Sequence, residues 1–194
     1  MRIGVLGGSF DPPHAAHAAL ARAARTRLGL DKVLWVPTYT PPHKGLPSTA
    51  FDDRMQMTRA LAAQEPGSEA SDIEATLPVP SYTVHTLAAL RTRHGEGHDW
   101  HLLLGADNWN AFPSWHQPEA VLAAAHVAVY PREGFPFGEL PAGVTALDFP
   151  EMPDQSTVYR TWLASDREAA LASLPQAVAE VIRARNLYRA EALA

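Results

Sequence analysis

The stretch Ile3-Gly4-Val5-Leu6-Gly7-Gly8-Ser9-Phe10-Asp11-Pro12-Pro13-His14-Ala15-Ala16-His17 passes from an apolar run, through a Gly/Pro-rich turn, into Ala-rich sequence. Ile3 to Leu6 is apolar at consecutive positions, as strands covered on both faces of a parallel sheet are. Gly7 to Pro13 reads as a turn. Ala15 to Leu28, rich in Ala, Leu and Arg, reads as a helix with Gly29 as its C-cap. Lys32 to Val36 is then a second strand, closed by Pro37. This β-turn-α-β opening predicts a right-handed crossover and a parallel strand pair.

Working outward, a Pro-rich polar loop from Thr38 to Thr49 precedes a helix over Asp52 to Ala63. Asp72 to Ala75 suits a third strand, and Ser81 an N-cap for a helix running to Arg93. His101 to Leu104 is a fourth strand, closed by Gly105. A helix over Pro118 to Ala124 leads to a fifth strand, His126 to Tyr130, and Val144 to Phe149 is a sixth. Helices over Ser156 to Ala164 and Pro175 to Arg185 finish the pattern. The alternation predicts an α/β fold: a Rossmann-like, doubly wound parallel sheet with a small C-terminal helical extension. One domain is expected over residues 1–194, its helical portion starting at about residue 155.

The 194 residues, 46% of them hydrophobic, suffice for one packed core. There is no Cys, which excludes disulfides, thiolate metal sites and cysteine nucleophiles and fits a reducing compartment. The apolar run at Ile3 is too short for a signal-peptide core, and no stretch is long enough to span a bilayer. A cytoplasmic location without a membrane partner is therefore expected. A net charge of −5 argues against a nucleic-acid partner but leaves a single nucleotide open. Homo-oligomerisation is left open as well.

In a doubly wound sheet, ligands bind outside the carboxyl ends of the strands, where the first turn lies. Gly7 and Gly8 allow close backbone approach. His14 and His17, three apart, share one face of a helix start, where free N–H groups and the dipole already favour an anion. Two imidazoles there make a phosphate site, or else two ordinary surface histidines behind a turn. A metal site is a weaker reading, since no carboxylate stands between them as His-Glu-x-x-His requires. Gly4, Gly7 and Gly8 do not spell the dinucleotide fingerprint, Asp31 precedes the second strand instead of ending it, and no phosphate-loop G-x-x-x-x-G-K-[ST] occurs.

Gly7 to His17 resembles the G-x-F-D-P-x-H-x-G-H signature of the nucleotidyltransferase α/β-phosphodiesterase superfamily, with Ala16 in place of Gly. The resemblance implies that Gly7, Gly8, Ser9, Phe10, His14 and His17 meet ATP. Further motifs resemble the bacterial nicotinate-nucleotide adenylyltransferases over nearly the whole chain. Pro41-Pro42-His43-Lys44 is similar to their P-x-H-K loop, which would bring Lys44 to the substrates. Ser81-Tyr82-Thr83-Val84-His85-Thr86-Leu87 resembles S-Y-T-x-x-T-L, implying that Thr83 meets the pyridine carboxylate at a helix start. Leu104-Gly105-Ala106-Asp107 resembles a G-x-D turn, implying that Gly105 and Asp107 contact the nucleotide.

Ser114-Trp115-His116 is similar to a tryptophan pair in which Trp115 stacks on the pyridine ring and the His116 N–H meets the carboxylate; as bare sequence, Trp109 and Trp115 read as packing residues. Gln155 to Arg160 resembles I-S-S-T-x-I-R. Asp154 and Gln155 replace Ile and the first Ser, and Tyr159 replaces an apolar residue, but Ser156, Thr157 and Arg160 remain to face the ATP phosphates. Val181-Ile182-Arg183 through Leu187-Tyr188 resembles the family's terminal helix, implying packing. Arg54 matches an arginine often found there, with no role assigned.

The resemblance implies transfer of AMP from ATP to nicotinate mononucleotide, giving the adenine dinucleotide and pyrophosphate. His14, His17, Lys44 and Arg160 would be the catalytic donors and cations. Ser9 and Lys44 would also face the acceptor, and Mg²⁺ would be held across the ATP phosphates and not by protein ligands. The amide mononucleotide and phosphopantetheine are alternative acceptors, the latter not needing Thr83 and Trp115-His116. An ATP-sensing module without chemistry is the reading from another class.

Overall fold

The structure, a computed structural model, describes residues 1–42, 45, 47–151 and 155–189. Six strands form one sheet: β1 (Arg2–Gly8), β2 (Lys32–Pro37), β3 (Ser68–Ala70), β4 (Asp99–Gly105), β5 (His126–Tyr130) and β6 (Val144–Ala146). Their order is β3-β2-β1-β4-β5-β6 and every neighbouring pair is parallel. This is the expected doubly wound sheet. The order reverses between β1 and β4, so a crevice opens at their carboxyl ends.

Helices cover both faces: α1 (Ala15–Arg27), α2 (Phe51–Ala62), α3 (Thr83–His94), α4 (Ala106–Ala111), α5 (Pro118–Ala124), α6 (Gln155–Ser165), α7 (Arg167–Ser173) and α8 (Gln176–Ala184). Period-two alternation within each strand sends side chains into two cores. Leu6, Trp35, Leu103 and Ala128 pack with α1, α2, α7 and α8 on one side. Ile3, Val5, Leu34, Leu102 and Val127 pack with α3 and α5 on the other. Gly4 is fixed by this packing, since a Cβ there would lie 2.7 Å from Leu30 Cδ1.

Several boundaries differ from the sequence expectation. The third strand is Ser68–Ala70, not Asp72 to Ala75, which forms a 3₁₀ turn over Ile73–Thr76. An edge strand needs no apolar run, whereas the turn buries Ile73 and Glu74. Ser81 does not cap α3. Its hydroxyl accepts the Thr40 N–H at 3.1 Å, and Tyr82 is the N-cap without a side-chain bond. The sixth strand is shorter than Val144 to Phe149. Unexpected α7 is capped by Asp166, whose carboxylate accepts from the Ala169 N–H at 3.3 Å. Among the described residues no helix is long and apolar enough to cross a membrane.

Candidate active site

The first turn leaves β1 at the reversal point. Phe10 adopts φ 49°, a left-handed conformation that non-glycine residues take rarely. It is 1% exposed, its ring stacked on Trp35 at 5.7 Å and tilted against His17 at 4.9 Å. Burial of that ring holds the unusual backbone. The Phe10 side chain therefore serves the core, and a ligand at this turn would meet its backbone.

His14 is the N-cap of α1 and His17 its third residue. The His14 N–H donates to His17 Nδ1 at 3.3 Å, and the two rings lie 4.0 Å apart. Accepting at Nδ1 assigns the proton of the neutral ring to Nε2. Burial, then the charges of His14 and Arg132, hold the His17 pKa well below the usual imidazole range. The ring is thus neutral in this setting, with its single proton on Nε2.

Residues far along the chain meet this turn. The Ser156 hydroxyl donates to the Pro12 carbonyl at 3.1 Å. Arg160 donates to the Asp11 carbonyl at 2.6 Å and to Thr157 Oγ1 at 2.9 Å. The Tyr159 ring lies 5.9 Å from that of His14. The first turn of α6 therefore closes over the turn before α1, bringing a cation and two hydroxyls to it. Ser156 spends its proton on the turn, so it braces the loop and can offer a ligand only its lone pairs.

Beside this turn lies a cleft of about 490 Å³ bounded by Gly7, Gly8, Ser9, Thr38, Thr83, Asp107, Trp115 and His116. Thr83 is the first residue of α3, and the absence of a side-chain cap leaves that helix start open. Trp115 is half-buried and also packs on Phe112, ring centres 5.3 Å apart, so it serves core and cleft together. His116 stacks on Tyr82 at 4.3 Å. Gly105 is buried behind the cleft. A Cβ there would lie 2.5 Å from Asp107 Oδ1 and 3.2 Å from the Tyr130 ring, so a larger residue would displace the Asp107 carboxylate. His14, His17, Phe10, Ser156, Thr157 and Arg160 do not line the cleft itself; they form its neighbouring wall around α1. Lys44 lies outside the described residues.

Sequence reasoning gave no site role to four further groups. Arg132, just past β5, stands 3.6 Å from Asp107 Oδ1 and adds a cation between cleft and His17. Its signal was its place at the carboxyl edge of a strand. Arg54, 1% exposed, donates to the carbonyls of Ser9 at 2.8 Å, Thr38 at 2.9 Å and Thr49 at 3.0 Å. Glu74 accepts from the Tyr39 N–H at 2.9 Å and the Thr86 hydroxyl at 3.0 Å, and burial pushes its pKa up. Asp11, though part of the quoted signature, emerges as a hub whose carboxylate binds Ser48 and Tyr188.

A cytidylyltransferase-like family model matches residues 5–173. A Gloeobacter violaceus protein named "Probable nicotinate-nucleotide adenylyltransferase" is 37% identical over 198 residues, covering 96% of each chain. A protein of the same name from Exiguobacterium sibiricum is 34% identical over 190 residues, covering 97% of this chain and 99% of its own. The chain belongs to the nicotinate-nucleotide adenylyltransferase family. Members of this family are nucleotidyltransferases, and the chain is an enzyme of that class. Plasmodium falciparum nicotinic acid mononucleotide adenylyltransferase, solved in complex with NaAD, superposes with a TM-score of 0.78. The match covers 96% of this chain and 97% of that one at 20% identity, a likeness of fold. The adenylyltransferase family and the Rossmann-like architecture expected from the signature are thus the ones found.

Proposed function

We propose that the protein transfers the AMP part of ATP to nicotinate mononucleotide, forming nicotinate adenine dinucleotide and pyrophosphate, as a step toward NAD. The observation that carries this reading is a juxtaposition. A turn with paired imidazoles and Arg160 adjoins a cleft lined by the open α3 start at Thr83, by Trp115 and by His116. One region suits a triphosphate and the other a planar ring with a carboxylate.

The acceptor phosphate is already ionised near neutral pH, so no strong general base is needed. An acceptor oxygen attacks the α-phosphorus, the bond from that phosphorus to the bridging oxygen breaks, and pyrophosphate leaves with the bonding electrons. Catalysis is then positioning and charge stabilisation. The neutral His17 donates from Nε2, Arg160 and Arg132 supply positive charge, and the N–H groups of the Gly7–Ser9 loop approach the phosphates. Lys44 is assigned a further cationic contact from its motif. Mg²⁺ enters with ATP as part of the substrate, carried on its phosphates. Among the described residues no group of three His, Asp or Glu side chains forms a cage for it. A cytoplasmic setting suits both small anionic substrates.

Pyrophosphate release is the decisive measurement, run with ATP and, separately, nicotinate mononucleotide, its amide and phosphopantetheine. Preference for the acid supports the proposal. Preference for phosphopantetheine reassigns the acceptor, and release from none of them would leave a nucleotide-binding module without this chemistry.

A further inference from the structure

Tyr188 follows the last helix, where the sequence implied packing alone. Its backbone has φ 56°, and Asn186 two residues earlier has φ 57°, both left-handed and both non-glycine. The tail is held in this shape by Arg167, which donates to the Leu187 carbonyl at 2.6 Å. The outcome is that the Tyr188 hydroxyl reaches across 177 positions of sequence and donates to Asp11 Oδ1 at 2.6 Å. That is the short distance of a bond to an ionised acceptor.

Asp11 is 2% exposed, and each of its oxygens has an assigned duty. Oδ1 takes Tyr188. Oδ2 takes the Ser48 N–H and hydroxyl, both at 2.9 Å, at the end of the Pro-rich loop. Its backbone carbonyl takes Arg160. One carboxylate therefore joins the tail, the loop end and the turn that carries His14 and His17. A phenylalanine would fill the same space as Tyr188, so the hydroxyl is there for the bond. Without it, a buried carboxylate oxygen loses its donor.

We propose that Tyr188 is a positioning residue for adenylyl transfer, its bond to Asp11 fixing the His14–His17 turn against the Ser48–Thr49 end of the Pro-rich loop. The inference rests on the proposed function, since the turn is taken as the ATP side of the site. The Thr83–Trp115–His116 wall lies on separate elements and is untouched by it.

The test is Tyr188→Phe in the full chain, with kcat and KM measured for each substrate. A loosened turn should lower kcat/KM for ATP by about ten- to hundredfold, as sub-ångström to ångström misplacement does. KM for the acceptor should stay within about twofold, because its wall is unchanged. Adding Tyr188→Phe to Asp11→Asn should bring little further loss, the two acting through one bond. Unchanged kcat and ATP parameters, or an equal rise in KM for both substrates, would overturn the latch. If Tyr188→Phe melts below the assay temperature, Ser48→Ala removes a donor from the same carboxylate and is read identically. Calorimetric titration with a non-hydrolysable ATP analogue separates the two ideas. Weaker analogue binding in Tyr188→Phe keeps the latch even if no acceptor turns over, whereas turnover by the parent with unaltered analogue binding in the variant sinks the latch alone.

Discussion

The backbone N–H of His14 donates to Nδ1 of His17 at 3.3 Å, so the first turn of α1 sets the tautomer of the ring that closes its own start. With Nδ1 occupied, His17 can present only its Nε2 proton, and burial keeps it from taking a second one.

Two outcomes follow for His17. Its folded pKa is depressed, so in the free protein it should stay neutral from pH 8 down through the usual imidazole range near 6.5. Stability associated with the neutral ring is present above the unfolded pKa and lost as pH falls through the folded one. Ring chemical shifts in a pH titration by NMR check this, and a midpoint above 6.5 in the free protein would refute it. His17→Ala should keep the fold and lower kcat by about 10²–10³, the typical loss for one transition-state donor. Steady-state kinetics beside circular dichroism reads both.

Arg54 should matter for folding before it matters for rate. Its guanidinium satisfies three carbonyls at 2.8 to 3.0 Å and faces the charges of Asp11 and Glu74. Arg54→Met leaves those groups uncompensated, for which the expected loss is about 3–5 kcal/mol in urea unfolding. Arg54→Lys should recover only part, because an ammonium cannot span three acceptors with a planar fork. Equal stability of the Met variant and the parent would rule this out.

The acceptor wall should behave separately. Trp115→Ala removes a ring that lines the cleft and packs on Phe112. KM for nicotinate mononucleotide should rise by about tenfold or more, in keeping with about 1–3 kcal/mol for a stacked ring, while KM for ATP changes little. A matched rise for both substrates would place Trp115 in general packing only.

Acid stability should report Asp11. Burial raises its pKa, but bonds from Thr49, Tyr188 and Ser48 and the Arg160 charge outweigh it and hold the carboxyl below its ordinary value. Such a group stabilises the fold above its unfolded pKa and ceases to do so as pH falls through its folded one. Asp11→Asn should therefore be less stable at neutral pH and lose less on acidification below about pH 4. Parallel denaturation curves for parent and variant across that range would contradict the assignment.

The β1-α1-β2 opening was legible because apolar runs, Gly/Pro punctuation and the imidazole pair all lie within a few neighbouring residues. Thr83 and Trp115 were legible as motif members, and both line the cleft. What stayed hidden depends on tertiary contact. Nothing near Arg54 in sequence indicates that its partners are carbonyls on the turn and on the Thr38 and Thr49 ends of the loop. Ser81 looked like a cap because local rules favour a hydroxyl before a helix, yet Thr40 claims it. β3 carried no apolar pattern since it is a short edge, and α7 was concealed by the brevity of its seven residues. Arg132 carries no local motif, and only the strand order brings it beside Asp107.

The grip of Tyr188 on Asp11 also bears on how the protein is made. All six strands end by Ala146, so a nascent polypeptide carries the whole sheet sequence while its amino-terminal carboxylate still lacks the hydroxyl that fastens it. On the proposed latch, a protease cut just ahead of that tyrosine would remove the bond to Asp11 while leaving every strand and helix up to Ala184 in the chain.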